Sequence, residues 1–389
     1  MLWLYTSYYP NRENADIFKY YDDGNVISSV FDEDPLEFLK LVSGVETIND
    51  KTAQILSATK YWDRSPSLAG LNDNRLIIKF NAVLSLFSLN NIATHMLFAS
   101  FLAFMGLTFL MKFFLKLISD RTPLIFIVVY FSPSLLFWTS GILKEAFMIF
   151  GLGGLIYHAM CIVQSKVTLS KLIIMHVFIL ILFSSKLYVA ILIMPGLFAF
   201  LWNYKHDDGK AILRYLAMNL LFLGLVMNLP QLLDIDILNV LVQKQIEFKC
   251  LAEWMNAGSV VYIPELSDTW TSLIIAAPFA LFNTFLRPHL FDELNALSLL
   301  AMLETLGFIA LIAVTIIHRK PVSTKTMNLF LFSLNFAILL GLLIGWTTPV
   351  LGAIVRYRVP MMIFILVSLI SMLDLEKNRI FARLNKEQL

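Results

Sequence analysis

The chain has 389 residues, of which 58% are hydrophobic and only 15% charged, and its mean hydropathy is +0.73. Water-soluble domains carry about 25% charged and roughly 45–50% apolar residues, so a soluble fold this apolar would expose large greasy patches. The formal charge of +2 comes from basic residues scattered singly, which argues against a nucleic-acid partner, and Cys161 and Cys250 offer neither metal-ligand spacing nor a disulfide framework.

Several runs of 18 or more residues carry hardly a charge, long enough for a hydrocarbon layer about 30 Å thick. Backbone amides in lipid must be paired within helices or closed barrels, and continuous rather than alternating apolarity selects helices. The expected fold is therefore all-α, a polytopic membrane helix bundle with nine or ten membrane segments. Residues 1–9, MLWLYTSYY, are too short for a signal-peptide core and carry no basic start. They read as the outer end of a helix or as an aromatic anchor at the interface. Residues 1–75 form a polar, interfacial segment expected to hold short amphipathic helices. A first group of membrane helices spans 76–230, with a shorter helix at 76–90 ahead of the first clear span near 92–111 and further segments near 123–138, 141–162, 169–185, 187–203 and 212–230. A polar loop with short helices follows at 231–268. The second group, 269–373, has segments near 270–286, 295–317, 327–345 and 350–372, ahead of a tail at 374–389. No internal repeat is visible.

Lysine and arginine in short loops set orientation. Lys112, Lys116 and Arg121, then Lys166 and Lys171, then Lys205, Lys210 and Arg214, and finally His318, Arg319, Lys320 and Lys325 mark inside loops. The tail, with Lys377, Arg379, Arg383 and Lys386, falls inside as well. The polar stretches at the N-terminus and at 231–268 then lie outside. For 295–317 to start outside, the apolar piece at 270–286 must enter and return on one face or split into two half-spans. Pro278 and Pro288 fit such a re-entrant piece, because each removes a backbone donor.

With that orientation the unusual polar groups gather on the outer side. In ADIFKYYDDG, Asp16 and Lys19 share a helical face, and Asp16, Asp22 or Asp23 can serve as the proton acceptor for a sugar hydroxyl. The plainer reading is a solvated turn ending at Gly24. In SPSLLFWTSGILKEAF, Lys144 and Glu145 follow a helix break at the outer turn. They read either as a ligand for a lipid-linked phosphate with its orienting carboxylate, or as a snorkelling or helix-locking pair. Lys186 and Tyr188 lie at the next outer turn, where snorkelling alone would also serve. Arg287, His289 and Glu293 follow in FLRPHLFDELNA. An arginine fork suits phosphate, and the histidine is an acid or base candidate or an interfacial residue. Glu304 lies deeper, where a carboxylate needs a partner or must be neutral. Arg356 and Arg358 come early in the last span, and two positions apart on a helix their side chains diverge by about 200°. Lys144, Lys186, Arg287, Arg356 and Arg358, meeting in one outer pocket, would hold a diphosphate while its lipid tail stays in the bilayer and a carboxylate activates the acceptor hydroxyl.

The stretches PSLLFWTSGILKEAF at 133–147, FLRPHLFDELNALSLLAMLE at 285–304 and TTPVLGAIVRYRVP at 347–360 resemble bacterial multi-pass proteins of surface-polysaccharide clusters. These are the Wzy-like (O-antigen polymerase-like) or EpsG-like polymerases and the neighbouring GT-C type glycosyltransferases. The resemblance implies a transferase in the bacterial inner membrane that uses undecaprenyl-(pyro)phosphate-linked sugars at the periplasmic face, works among membrane lipid and meets other polysaccharide-assembly proteins. By that likeness ADIFKYYDDG sits where a GT-C enzyme carries its acidic motif, although almost no first helix precedes it here. No metal and no cofactor is carried over. The competing readings are a GT-C enzyme that adds one sugar from a polyprenyl phosphate, a transporter of a lipid-linked glycan, and a structural scaffold whose outer charges pair off locally.

Overall fold

The computed structural model describes residues 15–45, 50–62, 73–89, 91–206, 208–292 and 295–374. It is all-α, with no sheet among the described residues. In chain order the short helices α1 (Asp16–Ser28), α2 (Val30–Glu33), α3 (Pro35–Ser43) and α4 (Asp50–Ala58) come first. They are followed by α5 (Asp73–Ser88), α6 (Ile92–Leu117), α7 (Thr122–Phe131), α8 (Pro133–Thr139) and α9 (Lys144–Gln164). Next are α10 (Leu169–Lys205), α11 (Ala211–Met227), α12 (Leu229–Leu233) and α13 (Ile237–Trp254). The last four are α14 (Trp270–Leu286), α15 (Ala296–Ile317), α16 (Thr324–Thr347) and α17 (Leu351–Met372).

Six of these, α6, α9, α10, α15, α16 and α17, are long and apolar enough to cross a membrane, and the α7–α8 pair, bent by 46°, makes a seventh if taken as one broken span. Two further apolar helices, α11 and α14, are shorter. The difference from the nine or ten expected segments has local causes. The 37-residue α10 leaves helical geometry at Lys186 (φ −148°, ψ 81°), which divides it at the boundary anticipated between 169–185 and 187–203. The apolar run at 123–138 breaks at Ser132, ahead of Pro133, because a residue preceding proline is driven out of the α region. Residues 270–286 form one helix that continues through Pro278, so the bent apolar segment lies at 122–139 instead. Many apolar side chains on the spanning helices, such as Leu97, Phe101, Leu180 and Leu303, are more than half exposed. A bilayer covers such faces without cost.

The chain divides into two compact units. The first holds the described residues of Met1–Leu110 and Leu136–Ile191, the second those of Met111–Leu135 and Leu192–Leu389. In the first, the polar N-terminal stretch folds into short helices, but α1 is interior. Tyr20, Tyr21 and Ile27 are buried in a core shared with Ile77, Ile78 and Ala82 of α5 and Ala146 and Phe147 of α9. Asp34 starts α3 by accepting the Glu37 N–H at 3.0 Å, and Gly44 ends it in the left-handed region at φ 83°. The hydroxyl of Thr52 donates to Glu37 and holds that carboxyl below its ordinary range against the opposing effect of burial. Helices α6 and α9 cross where a Cβ on Gly153 would stand 2.1 Å from the Gly106 carbonyl oxygen, so only glycine permits the approach.

In the second unit α14 and α16 meet just as closely, since a Cβ on Gly345 would stand 2.1 Å from the Ala280 carbonyl oxygen. Phe332, Phe336 and Phe364 fill the seam between α16 and α17. The two ends of this unit differ in chemistry. At one end Asp120 pairs with Lys320 at 3.2 Å, and Arg121 donates to the Leu373 carbonyl at 2.7 Å, which brings together residues expected in inside loops. At the other end the Val261 N–H donates to the Pro349 carbonyl at 2.7 Å, and Gln245 bridges the Trp346 carbonyl and the Leu266 N–H. Polar caps begin the helices that enter from this end and its opposite, with Asn295 and Ser298 forming a capping box on α15 and Ser323 capping α16.

Candidate functional site

The five cations singled out by the sequence divide between the units, two in the first and three in the second. In the first unit, Leu143 leads into α9 in an extended conformation and packs against Ala15, Ile17 and Phe18. This places Lys144 and Glu145, the first two residues of α9, beside α1. Lys144 is 9% exposed and Glu145 1%. The Lys144 ammonium lies 5.5 Å from the centre of the Tyr20 ring, whose π face attracts a cation. Lys186, at the break of α10, reaches Glu145 Oε1 at 3.8 Å and stands 5.7 Å from the Tyr188 ring. A lysine this deeply buried needs such an anion, and Glu145 is further favoured by its place in the first turn of a helix. The break in α10 itself releases backbone groups within a span, which is tolerated where side chains and protein surround it.

The acidic residues of α1 take three different positions. Asp16 is half-buried and lies 3.5 Å from Lys19, one helical turn before Tyr20. Asp22 is exposed. Asp23, expected among the proton acceptors, is 2% exposed. Its two oxygens take the N–H groups of Lys60, Tyr61 and Trp62 at 2.9, 2.8 and 3.1 Å, so it fastens residues 60–62 to α1. Three of the sequence-selected stretches, around 16–23, 144–145 and 186–188, are thus gathered in this unit. Tyr20, which links the first two, was not selected, because an aromatic residue in an amphipathic stretch reads as packing.

In the second unit Arg287, the residue that ends α14, donates to Asp292 Oδ1 at 2.8 Å. The other oxygen of Asp292 accepts the His289 N–H at 2.8 Å and lies 3.1 Å from His289 Nδ1. Asp292 is therefore the carboxylate that organises this turn, and the sequence reading passed over it in favour of Glu293, which lies outside the described residues. Arg356 is half-buried and Arg358 is 2% exposed, as their divergent directions on α17 require. Arg358 is satisfied mainly by the backbone. Its Nη1 donates to the carbonyls of Thr284 at 3.1 Å and Arg287 at 2.6 Å, and its Nη2 to Thr305 Oγ1 at 2.8 Å. One guanidinium so ties α14, α15 and α17 together. Glu304, the neighbour of Thr305, accepts from the N–H and hydroxyl of Ser134. Between Glu304 and Arg358 lies a cavity of about 10 Å³, lined also by Ser132, Ser134 and Val355, room for a single water.

The two clusters differ in what they can do. The first presents ammonium groups, a carboxylate and two phenol rings, groups that can rearrange around an anionic ligand. In the second, Arg287 is engaged by Asp292, and Arg358 is engaged by carbonyls that a ligand would have to replace. Among the described residues no group of three or more His, Cys, Asp or Glu side chains is placed to hold a metal ion. No family model, no curated protein and no solved structure matches the chain.

Proposed function

We propose that the chain is a glycosyltransferase or polymerase of surface-polysaccharide assembly, taking undecaprenyl-linked sugars at the periplasmic face of a bacterial inner membrane. The observation that carries this reading is the burial of Lys144, Glu145 and Lys186, with Lys186 paired to Glu145 and Lys144 over Tyr20 of α1, the helix that also bears Asp16 and Asp22. In this reading Lys144 and Lys186 hold the phosphate of the lipid-linked donor while its tail remains in the bilayer. Glu145 fixes the position of Lys186, and Asp16 or Asp22 receives the proton of the acceptor hydroxyl. The ammonium groups stabilise the charge that develops on the leaving phosphate, which an electrostatically prepared site does without reorganising at the moment of reaction. Half-buried Asp16 stands one turn from Tyr20 on the same face of α1, while exposed Asp22 is reached from water.

The test is the amount of polymeric glycan made by cells carrying Lys144→Gln or Lys186→Gln, with membrane abundance of the protein followed in parallel. Loss of one preorganised charge is expected to lower product by about 10²-fold or more at unchanged abundance. Undiminished product in both variants would remove this reading and leave a membrane helix bundle of another function.

A further inference from the structure

Away from that cluster, the first unit contains a chain of three polar side chains whose order is chemically distinctive. On α5, Asn81 donates from Nδ2 to the Ile77 carbonyl at 2.8 Å. That bond fixes the amide, so Oδ1 is the atom turned to His95 Nδ1, 2.8 Å away. An oxygen acceptor there requires the proton on Nδ1. His95 Nε2 is then the bare nitrogen, and it lies 2.7 Å from Ser88 Oγ. Serine therefore donates to the base side of a histidine whose far side is held by a carbonyl oxygen, the relation that activates nucleophiles in serine and cysteine enzymes. The burial follows the same order. Asn81 and His95 are 0% exposed and Ser88 is 6% exposed, so the serine is the least buried of the three.

The position of Ser88 indicates the substrate class. It is the last residue of α5, just ahead of Ile92, where the spanning helix α6 begins, and so stands at a membrane boundary. Its neighbours Phe87 and Leu89 are 60% and 93% exposed, an apolar lip of the kind that enters the headgroup region. Acyl esters of membrane lipids place their carbonyls at that depth.

We propose that Ser88, His95 and Asn81 form a nucleophilic site for the acyl ester of a membrane lipid. Ser88 Oγ bonds to the ester carbonyl carbon as its proton passes to His95 Nε2. Collapse of the adduct breaks the bond to the alcohol oxygen, which leaves with that proton, and the acyl group remains on Ser88. A water molecule repeats the sequence, releasing the acid and restoring the serine. Asn81 is a positioning residue, holding the ring tautomer without the charge a carboxylate would supply.

The experiment treats the full-length protein, in phosphatidylethanolamine–phosphatidylglycerol vesicles, with a long-chain alkyl fluorophosphonate. Ser88 Oγ displaces fluoride from this probe, and the phosphonylated peptide is located by mass spectrometry. Wild type is expected to carry the label on Ser88, Ser88→Ala none, and His95→Gln a labelling rate lower by about 10²-fold or more. Asn81→Ala is expected to slow labelling, with the loss growing as pH falls. Thermal melts in the same vesicles identify which variants are folded. Folded wild type left unlabelled at Ser88, or His95→Gln labelled at the wild-type rate, would overturn the proposal and make the chain a structural tie between α5 and α6.

Discussion

The clusters around Lys144 and Arg358 answer the same problem, a cation inside an apolar bundle, in opposite ways. Lys186 is met by the carboxylate of Glu145 and Lys144 by the ring of Tyr20, so the first cluster is made of side chains that belong to separate helices. Arg358 is met by two backbone carbonyls and a threonine hydroxyl. Side-chain partners can exchange for a ligand's phosphate. Carbonyls at the end of α14 cannot turn away without unwinding it, which makes Arg358 a fastening within its unit. The lesson is that arginine, the residue type best suited to phosphate, is at Arg358 already engaged by the protein's own backbone.

This contrast can be broken by substitution. Arg358→Leu should have the largest effect, because it strips the donors from the Thr284 and Arg287 carbonyls and leaves Glu304 without the nearby positive charge. Removing one partner of a buried charged group costs about 3–5 kcal/mol, and loss of folded protein in thermal melts of purified Arg358→Leu is the expected result. A normal melt would mean that the carbonyl bonds do not hold α14, α15 and α17. A second test concerns Glu145 and Lys186. The single variants Glu145→Gln and Lys186→Met should each destabilise more than half of what the double variant does, with a coupling of about 0.5–3 kcal/mol in a double-mutant cycle. Zero coupling would place the two groups in separate environments.

The smallest effect is expected at the Asp120 end of the second unit. Burial pulls the Asp120 carboxyl up, but hydrogen bonds from Lys320 and Arg121 outweigh it and leave the group below its ordinary range. A depressed carboxylate contributes stability that is complete above the unfolded value, near pH 3.9, and that is lost as pH falls through the folded value. The melting temperature of wild type should therefore exceed that of Asp120→Asn at neutral pH, by an amount corresponding to less than about 1 kcal/mol for so exposed a pair. The gap should close on acidification below about pH 4. A gap that widens in acid would reverse the assigned sign.

Much of the fold was legible because continuous apolarity has one structural outcome in lipid. The spans corresponding to α9, α15, α16 and α17 match to within about three residues, α6 runs six residues beyond the expected end at 111, and the interruption at Lys186 was visible as a charged Ser-Ser-Lys step in an apolar run. The interior position of α1 was not legible. Its charges suggested a surface, while the burial of Tyr20, Tyr21 and Ile27 depends on a partner helix that begins at Asp73. Partner choice was the main gap. Asp292 was missed because residues 287–292 form an irregular turn, where helical spacing does not say which carboxylate returns to Arg287. His95 was missed for a related reason. One histidine in NIATHMLF resembles an interfacial residue, and its two hydrogen-bonding partners lie on the preceding helix, 14 and 7 positions back.

In the proposed function the first unit's lysines, rather than Arg358, hold the phosphate of a lipid-linked sugar. The most direct test is equilibrium binding of undecaprenyl diphosphate to the purified, folded protein in lipid nanodiscs. A charge-assisted hydrogen bond contributes about 1.5–3 kcal/mol, so Lys144→Gln and Lys186→Gln should each weaken binding by about 10-fold or more. Wild-type affinity in both folded variants would contradict the account.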